Sequence, residues 1–163
     1  MTRAIRDFVS YFGTKIRIDE NLVMKKQKKY FLINENLKRA MPKSYVYAGS
    51  FLGEIRNGKL FPGFELLRLI AKKDSNKIMV DKKSEWLFIC GRDIFKQGIT
   101  SVAGSGRKGN YTIVLNQNHE CLGFGRIICD LEKAKNGVVI KNILDVGDFL
   151  RRETCTSKKT SSP

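Results

Sequence analysis

The sequence predicts an α+β protein in two parts: an N-terminal α/β domain of helices with an antiparallel sheet, followed by a compact β pseudo-barrel. Three observations carry this expectation. Apolar residues recur at helical spacing at the start of the chain and again around Leu67. An Asn-Gly pair stands between two β-rich runs, and glycine punctuates the whole second half from Gly91 to Gly147.

Ile5, Phe8, Val9 and Phe12 fall at i, i+3, i+4 and i+7, which predicts an amphipathic helix over residues 2–13 with Thr2 as cap and Gly13 as stop. "NLVMKK" and "KKYFLINE" predict short strands, divided by Lys25, Lys26, Lys28 and Lys29. "SYVYAGSFLGEI" and "KLF" flank Asn57-Gly58, the strongest two-residue hairpin signal. In "FPGFELLRLIAKK", Phe64, Leu67 and Leu69 to Ala71 predict a more heavily buried helix that Pro62 helps to start. Polar residues 72–77 then interrupt the apolar pattern before the strand "KIMV". The boundary is drawn there: residues 1–75 form the front domain, 76–153 the second, and 154–163 a basic flexible tail. "YTIVLN", "CLGFGRII" and "GVVIKNI" are β-rich runs bounded by turn formers, as in a small barrel or curled sheet. "DVGDFLRRE" predicts a terminal helix, with Asp145 or Asp148 near its start and Arg151 and Arg152 towards the negative end of its dipole.

Charge points to the class of partner. Thirty-one Lys and Arg stand against 16 Asp and Glu, a net charge of +15, and the sequence pI is near 9.9. A surface this basic attracts phosphate backbones and releases their counterions. Both parts share the excess, with 16 basic and 7 acidic residues up to position 75 and 15 and 9 after it. No run approaches the ~20 apolar residues of a membrane span, and charges interrupt the N-terminal apolar residues. The expectation is a soluble cytoplasmic protein, monomeric when free, with no membrane partner. Cys90, Cys121, Cys129 and Cys155 form no C-x-x-C pair and His119 is the single histidine, so neither metal nor cofactor is expected and the thiols should be free.

The stretch "VAGSGRKGN" holds a literal G-x-G-x-x-G in Gly104, Gly106 and Gly109. A dinucleotide fingerprint leaves a strand and opens a helix, whereas Gly109 here opens the strand "NYTIVLN". The reading is a flexible connection that carries Arg107 and Lys108, either towards a nucleic-acid backbone or as a solvated loop.

The order of "GRDIFKQGITSV", "GNYTIVLNQNHECLGFGRII" and "GVVIKNILDVGDFLRRE" resembles a PUA domain, a small RNA-binding pseudo-barrel. The matching pieces are Gly91, Gly98-Ile99, Gly109 to Val114, Gly123 to Gly125 and Gly147 to Arg151, with Gln97 standing where many such domains have proline. The β-formers of "EWLFIC" alone suggest a strand, but the resemblance implies a short helix ending at Gly91, with Ser84 as its cap. With the front domain, "AGSFLGEI" and "FELLRLIAK" included, the whole chain is similar to archaeal-type members of the Nip-seven family of large ribosomal subunit biogenesis factors. That resemblance implies a non-enzymatic protein that binds single-stranded, uridine-rich pre-ribosomal RNA through its PUA domain and other assembly proteins through its front domain. In a eukaryotic source it would imply a nuclear or nucleolar location.

The resemblance places RNA contacts at Arg151 and Arg152 with Lys158 and Lys159, then at Lys96 and Arg92 beside the Gly98 loop. Arginine offers a planar fork to phosphate and can stack on an unpaired base, while a tail lysine acts as a point charge. Arg107 and Lys108 belong to the glycine loop, and the outward or inward direction of Arg126 and Lys141 depends on strand register. Trp86, Tyr111, Phe124 and Phe149 sit in apolar contexts and are expected in the core, with His119 and Glu120 in a surface turn. No catalytic set is evident, and Asp7, Asp19, Glu54 and Glu65 are expected on helix and strand surfaces. The alternatives are a PUA-bearing subunit of an RNA-modification enzyme and a tRNA- or translation-associated adaptor.

Overall fold

The structure is a computed structural model that describes residues 3–40, 48–148 and 151. The chain divides into two units, Met1–Lys73 and Asp74–Pro163.

In the front unit, α1 (Arg3–Ser10) buries Ile5, Phe8 and Val9 as its periodicity requires, and Phe12 beyond it stacks edge-on to Phe8 at 5.3 Å. Strands β1 (Val23–Lys26), β2 (Lys29–Leu32), β3 (Ser50–Arg56) and β4 (Lys59–Pro62) form an antiparallel sheet in that order. The Asn57-Gly58 turn has φ of 49° and 75°, both positive as a type I′ hairpin demands. Helix α2 (Glu35–Ala40) is absent from the sequence expectation, because it buries none of its residues and so shows no apolar stripe. Its signal is a cap: the Asn34 side-chain oxygen accepts the Leu37 N–H at 2.7 Å. Helix α3 (Phe64–Ala71) buries Leu66, Leu67 and Ile70, so Leu66 faces the core while Phe64, Leu69 and Ala71 are half-buried.

The second unit is a curled six-stranded sheet: β5 (Lys77–Val80), β6 (Ile94–Phe95), β7 (Ile99–Ala103), β8 (Tyr111–Leu115), β9 (Cys121–Ile127) and β10 (Val138–Asp145). Their spatial order is β6-β10-β9-β8-β5-β7, antiparallel except where β5 runs parallel to β8. Ile78, Val80, Val114, Ile127, Val139 and Ile140 meet in the core, together with Phe88 from α4 (Lys82–Ile89).

Helix α4 is the segment whose β-formers read locally as a strand. Both of its ends explain why it is helical. At the start, the cap is Asp81 rather than Ser84: the Asp81 carboxylate accepts the Ser84 N–H at 2.7 Å, and the Ser84 hydroxyl instead packs on Gly98. At the other end, Gly91 takes φ of 84°, its N–H donates to the Phe88 carbonyl, and the Arg92 N–H donates to the Leu87 carbonyl, both at 2.9 Å. That pair of bonds is a Schellman motif, which only a residue tolerant of the left-handed region closes without strain.

The end of β10 is tied to this helix terminus through one carboxylate. Asp145 lies at the start of a short helical segment, as expected, and its side chain is only 4% exposed. Its oxygens accept an Arg151 guanidinium N–H at 2.9 Å each, the Asp148 N–H at 2.9 Å and the Asn142 side-chain amide at 3.2 Å. Arg151 also donates to the Ile89 carbonyl at 2.7 Å, one of the acceptors that the end of α4 leaves over. The Asn142 amide reaches the Phe88 carbonyl at 2.9 Å from the same side. Gly147 sits inside this clamp, where a Cβ would run into the Ile89 carbonyl oxygen.

Removing the guanidinium leaves a buried carboxylate without its counter-charge. Arg151→Ala is therefore expected to destabilise the second unit by about 2–3 kcal/mol, discounted for an arginine side chain that is 47% exposed. Thermal unfolding of the full chain followed by circular dichroism checks this, and an unchanged midpoint would remove the clamp from the account.

Candidate nucleic-acid interface

Helix α4 turns Phe88 to the core and Lys82, Lys83, Trp86, Leu87 and Cys90 to solvent. Trp86 is 68% exposed, which corrects the expectation that it belongs to the core. After Glu85 the run "WLFIC" is apolar throughout, so its composition does not reveal which residue faces inward; the packing of a short helix against the sheet selects Phe88. Cys90 is likewise exposed at the C-cap, while Cys121 and Cys129 are half-buried, and none of the three is in a disulfide. Lys82 and Lys83 lie one turn before Trp86, so the outer face carries an indole flanked by two ammonium groups.

A second basic strip begins at the end of this helix. Arg92 is exposed just after the Schellman turn. The Asp93 carboxylate next to it accepts the Asn142 N–H at 2.8 Å and lies 3.9 Å from the Lys141 ammonium. Lys141 on β10 is the cross-strand partner of Arg126 on β9, which is in turn the partner of Tyr111 on β8. Directly opposed residues share a face of the sheet, so register settles the direction of Arg126 and Lys141: both point outward and both are exposed. Tyr111 is half-buried with its ring against Phe124 at 5.6 Å, and Phe124 is in the core as expected. Among the described residues, Lys82, Lys83, Arg92 and Arg126 have no carboxylate within ion-pair distance.

The remaining predicted contacts fall in other places. Arg151 is the strut of the clamp described above, and its guanidinium is engaged by Asp145 and the Ile89 carbonyl. The Lys96 ammonium is held by the Leu131 carbonyl at 2.8 Å and is half-buried. Arg152, Lys158, Lys159 and Phe149 lie outside the described residues. His119 and Glu120 stand in a surface turn, where Asn116 bonds the Glu120 carboxylate at 2.6 Å. Asp7, Glu54 and Glu65 each pair with a nearby arginine, and Asp19 caps a short 3-10 turn.

The glycine loop is a laced structure rather than a flexible connection. The side chain of buried Asn76 accepts the Ser105 N–H at 2.8 Å and donates to the Tyr111 carbonyl at 3.3 Å. The Asn110 amide donates to the Ser105 hydroxyl at 2.9 Å, Leu131 N–H donates to the Gly106 carbonyl at 2.9 Å, and Lys108 N–H donates to Asp130 at 2.8 Å. The sequence gives no signal of this because Asn76 and Asp130 lie 29 and 22 positions from Ser105 and Lys108, the loop residues they hold. Arg107 and Lys108 are thus presented, both exposed, on a fixed turn.

The Lys108 N–H holds the Asp130 carboxyl below its ordinary value of 3.8; partial desolvation opposes this, and the Lys133 ammonium 3.7 Å away adds to it. Because the shift is downward, the anchor is at full strength above pH 3.8 and is lost as the pH falls through the lowered value. In an NMR titration, the Asp130 carboxyl and the Lys108 amide should move together with a midpoint below 3.8, and Asp130→Ala should speed hydrogen exchange at Lys108. A midpoint at or above 3.8 would contradict the geometry.

Residues 76–154 match the family described as the UPF0113 PUA domain. A UPF0113 protein from Archaeoglobus fulgidus is 28% identical over 111 residues, a match that covers 66% of this chain and 63% of the relative. Among solved structures, a conserved PUA domain protein from Thermoplasma acidophilum is similar in fold with a TM-score of 0.56 at 22% identity, covering 91% of each chain. A PUA domain from Aeropyrum pernix gives a TM-score of 0.60 at 17% identity over 91% of this chain and 83% of that one. PUA domains generally bind RNA, and residues 76–154, within the second unit of this chain, are similar to the UPF0113 PUA domain.

Proposed function

We propose that this protein is a non-enzymatic RNA-binding factor that acts in assembly of the large ribosomal subunit, holding single-stranded RNA on its PUA domain. The observation that carries RNA binding is the exposed indole of Trp86 beside Lys82 and Lys83, on a domain whose adjacent strands present Arg126 and Lys141 outward. An indole is a stacking platform for any unpaired base, and flanking cations track the backbone that connects successive bases. A duplex keeps its bases stacked on one another and offers the indole nothing, so the arrangement favours single strands. The ribosomal part of the proposal is supported by the ordered resemblance to the Nip-seven family, which also supports other assembly proteins as partners of the front unit.

Trp86 is the chain's single tryptophan, so its fluorescence reports directly on the site. Titration with a uridine-rich single strand should quench it, an adenosine-rich strand should compete, and duplex RNA should leave it largely unchanged. Trp86→Ala should cost about 1–3 kcal/mol of binding, with little change in salt dependence. Arg126→Ala with Lys141→Ala should instead lower the salt slope by about 0.7 log unit per lost phosphate contact. Unquenched fluorescence together with wild-type binding by all three substitutions would reject the site. Conversion of a nucleoside during incubation with RNA would reject the non-enzymatic assignment, and absence of the protein from large-subunit precursors in cell gradients would reject the ribosomal one.

A further inference from the structure

Six cations of the front unit are brought to one end of its sheet. The β1–β2 hairpin turns at Gln27-Lys28 and the β3–β4 hairpin at Asn57-Gly58. Because β2 pairs antiparallel with β3, with Lys29 opposite Glu54, both tips lie at the same end. Lys26, Lys29, Arg56 and Lys59 therefore share one face across four strands, a row of roughly 14 Å at the ordinary spacing between strands, with Lys28 at a hairpin tip and Lys25 on the opposite face. A shallow depression between the tips is lined by Lys28, Lys29, Glu54, Arg56 and Asn57.

The register sets like charges against each other at both tips. Lys26 stands directly across from Lys29, and Arg56 directly across from Lys59, so each hairpin closes on a like-charge pair. Such pairs destabilise a sheet where opposite charges would stabilise it. Gln27 also holds φ of 54°, a conformation that non-glycine residues adopt at a cost. The carboxylate at this end, Glu54, is bonded to Arg56, whose guanidinium lies over the Phe61 ring at 4.2 Å. Elsewhere in the unit, Asp7, Glu20 and Glu65 face arginines distant in sequence from the two tips.

We propose that this hairpin end is a second binding surface, and that its ligand is the phosphate backbone of a nucleic acid. The centre of a protein interface is typically depleted of charge and enriched in apolar and aromatic side chains. Among the described residues of the front unit, the large apolar side chain exposed is Tyr11, which follows α1 and is not on either hairpin. A row of cations without an apolar centre fits a ligand whose contact surface is charge at regular intervals. The surface neutralises phosphates and reads no bases, so it adds affinity and salt dependence without sequence preference. The inference deepens the reading of the chain as an RNA binder, and its test is arranged to separate the two.

The test uses the full chain with Lys28→Gln, Lys29→Gln and Lys59→Gln combined, which keeps polar stems on exposed positions; an unchanged thermal midpoint establishes that the sheet is intact. The probe is a labelled uridine-rich strand, measured by polarisation at several salt concentrations. The expected result is a salt slope shallower by about 2 log units if each lysine meets one phosphate, with Trp86 quenching retained at saturation. The Arg126→Ala, Lys141→Ala and Trp86→Ala variants run beside it. Wild-type affinity and slope in the lysine variant, with binding lost in the PUA variant, would overturn this inference and leave the PUA interface standing. The reverse pattern would support the hairpin surface and overturn the PUA interface. Polyglutamate of matched charge that competes as well as RNA, and loses its affinity in the lysine variant, would overturn the nucleic-acid assignment in favour of an acidic protein.

Discussion

Asp145 is a carboxylate buried at the end of β10, and a charge removed from water is tolerated only when it is paired and hydrogen-bonded on all sides. Arg151, the Asp148 amide and the Asn142 side chain meet that requirement together. Arg151 also satisfies the Ile89 carbonyl that α4 leaves open at its end, and the Asn142 amide adds a second bond to the Phe88 carbonyl. The Asp145–Arg151 pair thus ties the helix terminus to the end of β10. The Schellman turn itself is set locally by Gly91, and the outward face with Trp86 by the packing of Phe88 against the sheet. Buried ion pairs add little net stability, yet removing one member is costly, and the effect is to fix geometry.

The basic side chains divide into two groups by what they touch. Arg151 and Lys96 are engaged by a carboxylate or by carbonyls within the domain and act in the fold. Lys82, Lys83, Arg92, Arg107, Lys108 and Arg126 are exposed on a helix face, a Schellman turn, a laced loop and a strand. Each is mounted on backbone that is already ordered, so little conformational entropy is lost when a ligand is bound. The hairpin end of the front unit shows the complementary case. There the sheet sets cations directly opposite one another, a local conflict that marks function more often than stability.

Much of the fold was legible because periodicity, caps and turns are local. The spacing of Ile5, Phe8, Val9 and Phe12, the Asn57-Gly58 turn and the glycine-bounded strands each depend on a few consecutive residues. Helix α2 was not legible, since it has no buried face and rests on the Asn34 cap. The cap of α4 was assigned three residues late, because Ser84 and Asp81 are both good caps and the choice is made by Gly98 packing against the Ser84 hydroxyl.

The sequence by itself determined a charge that favours a polyanionic ligand, because a net charge of +15 does not depend on folding, and it carried the PUA pattern through glycines whose backbone roles are local. Tertiary structure alone decided which cations are free to meet that ligand. Arg151 read as an exposed contact until Asp145, six residues away, and the Ile89 carbonyl claimed it. Trp86 read as core until the sheet took Phe88 in its place. The direction of Arg126 and Lys141, and the meeting of two lysine-bearing hairpins, depend on register between strands that no local pattern encodes. Charge is a sum over the chain, whereas accessibility is set by which distant residues pack together.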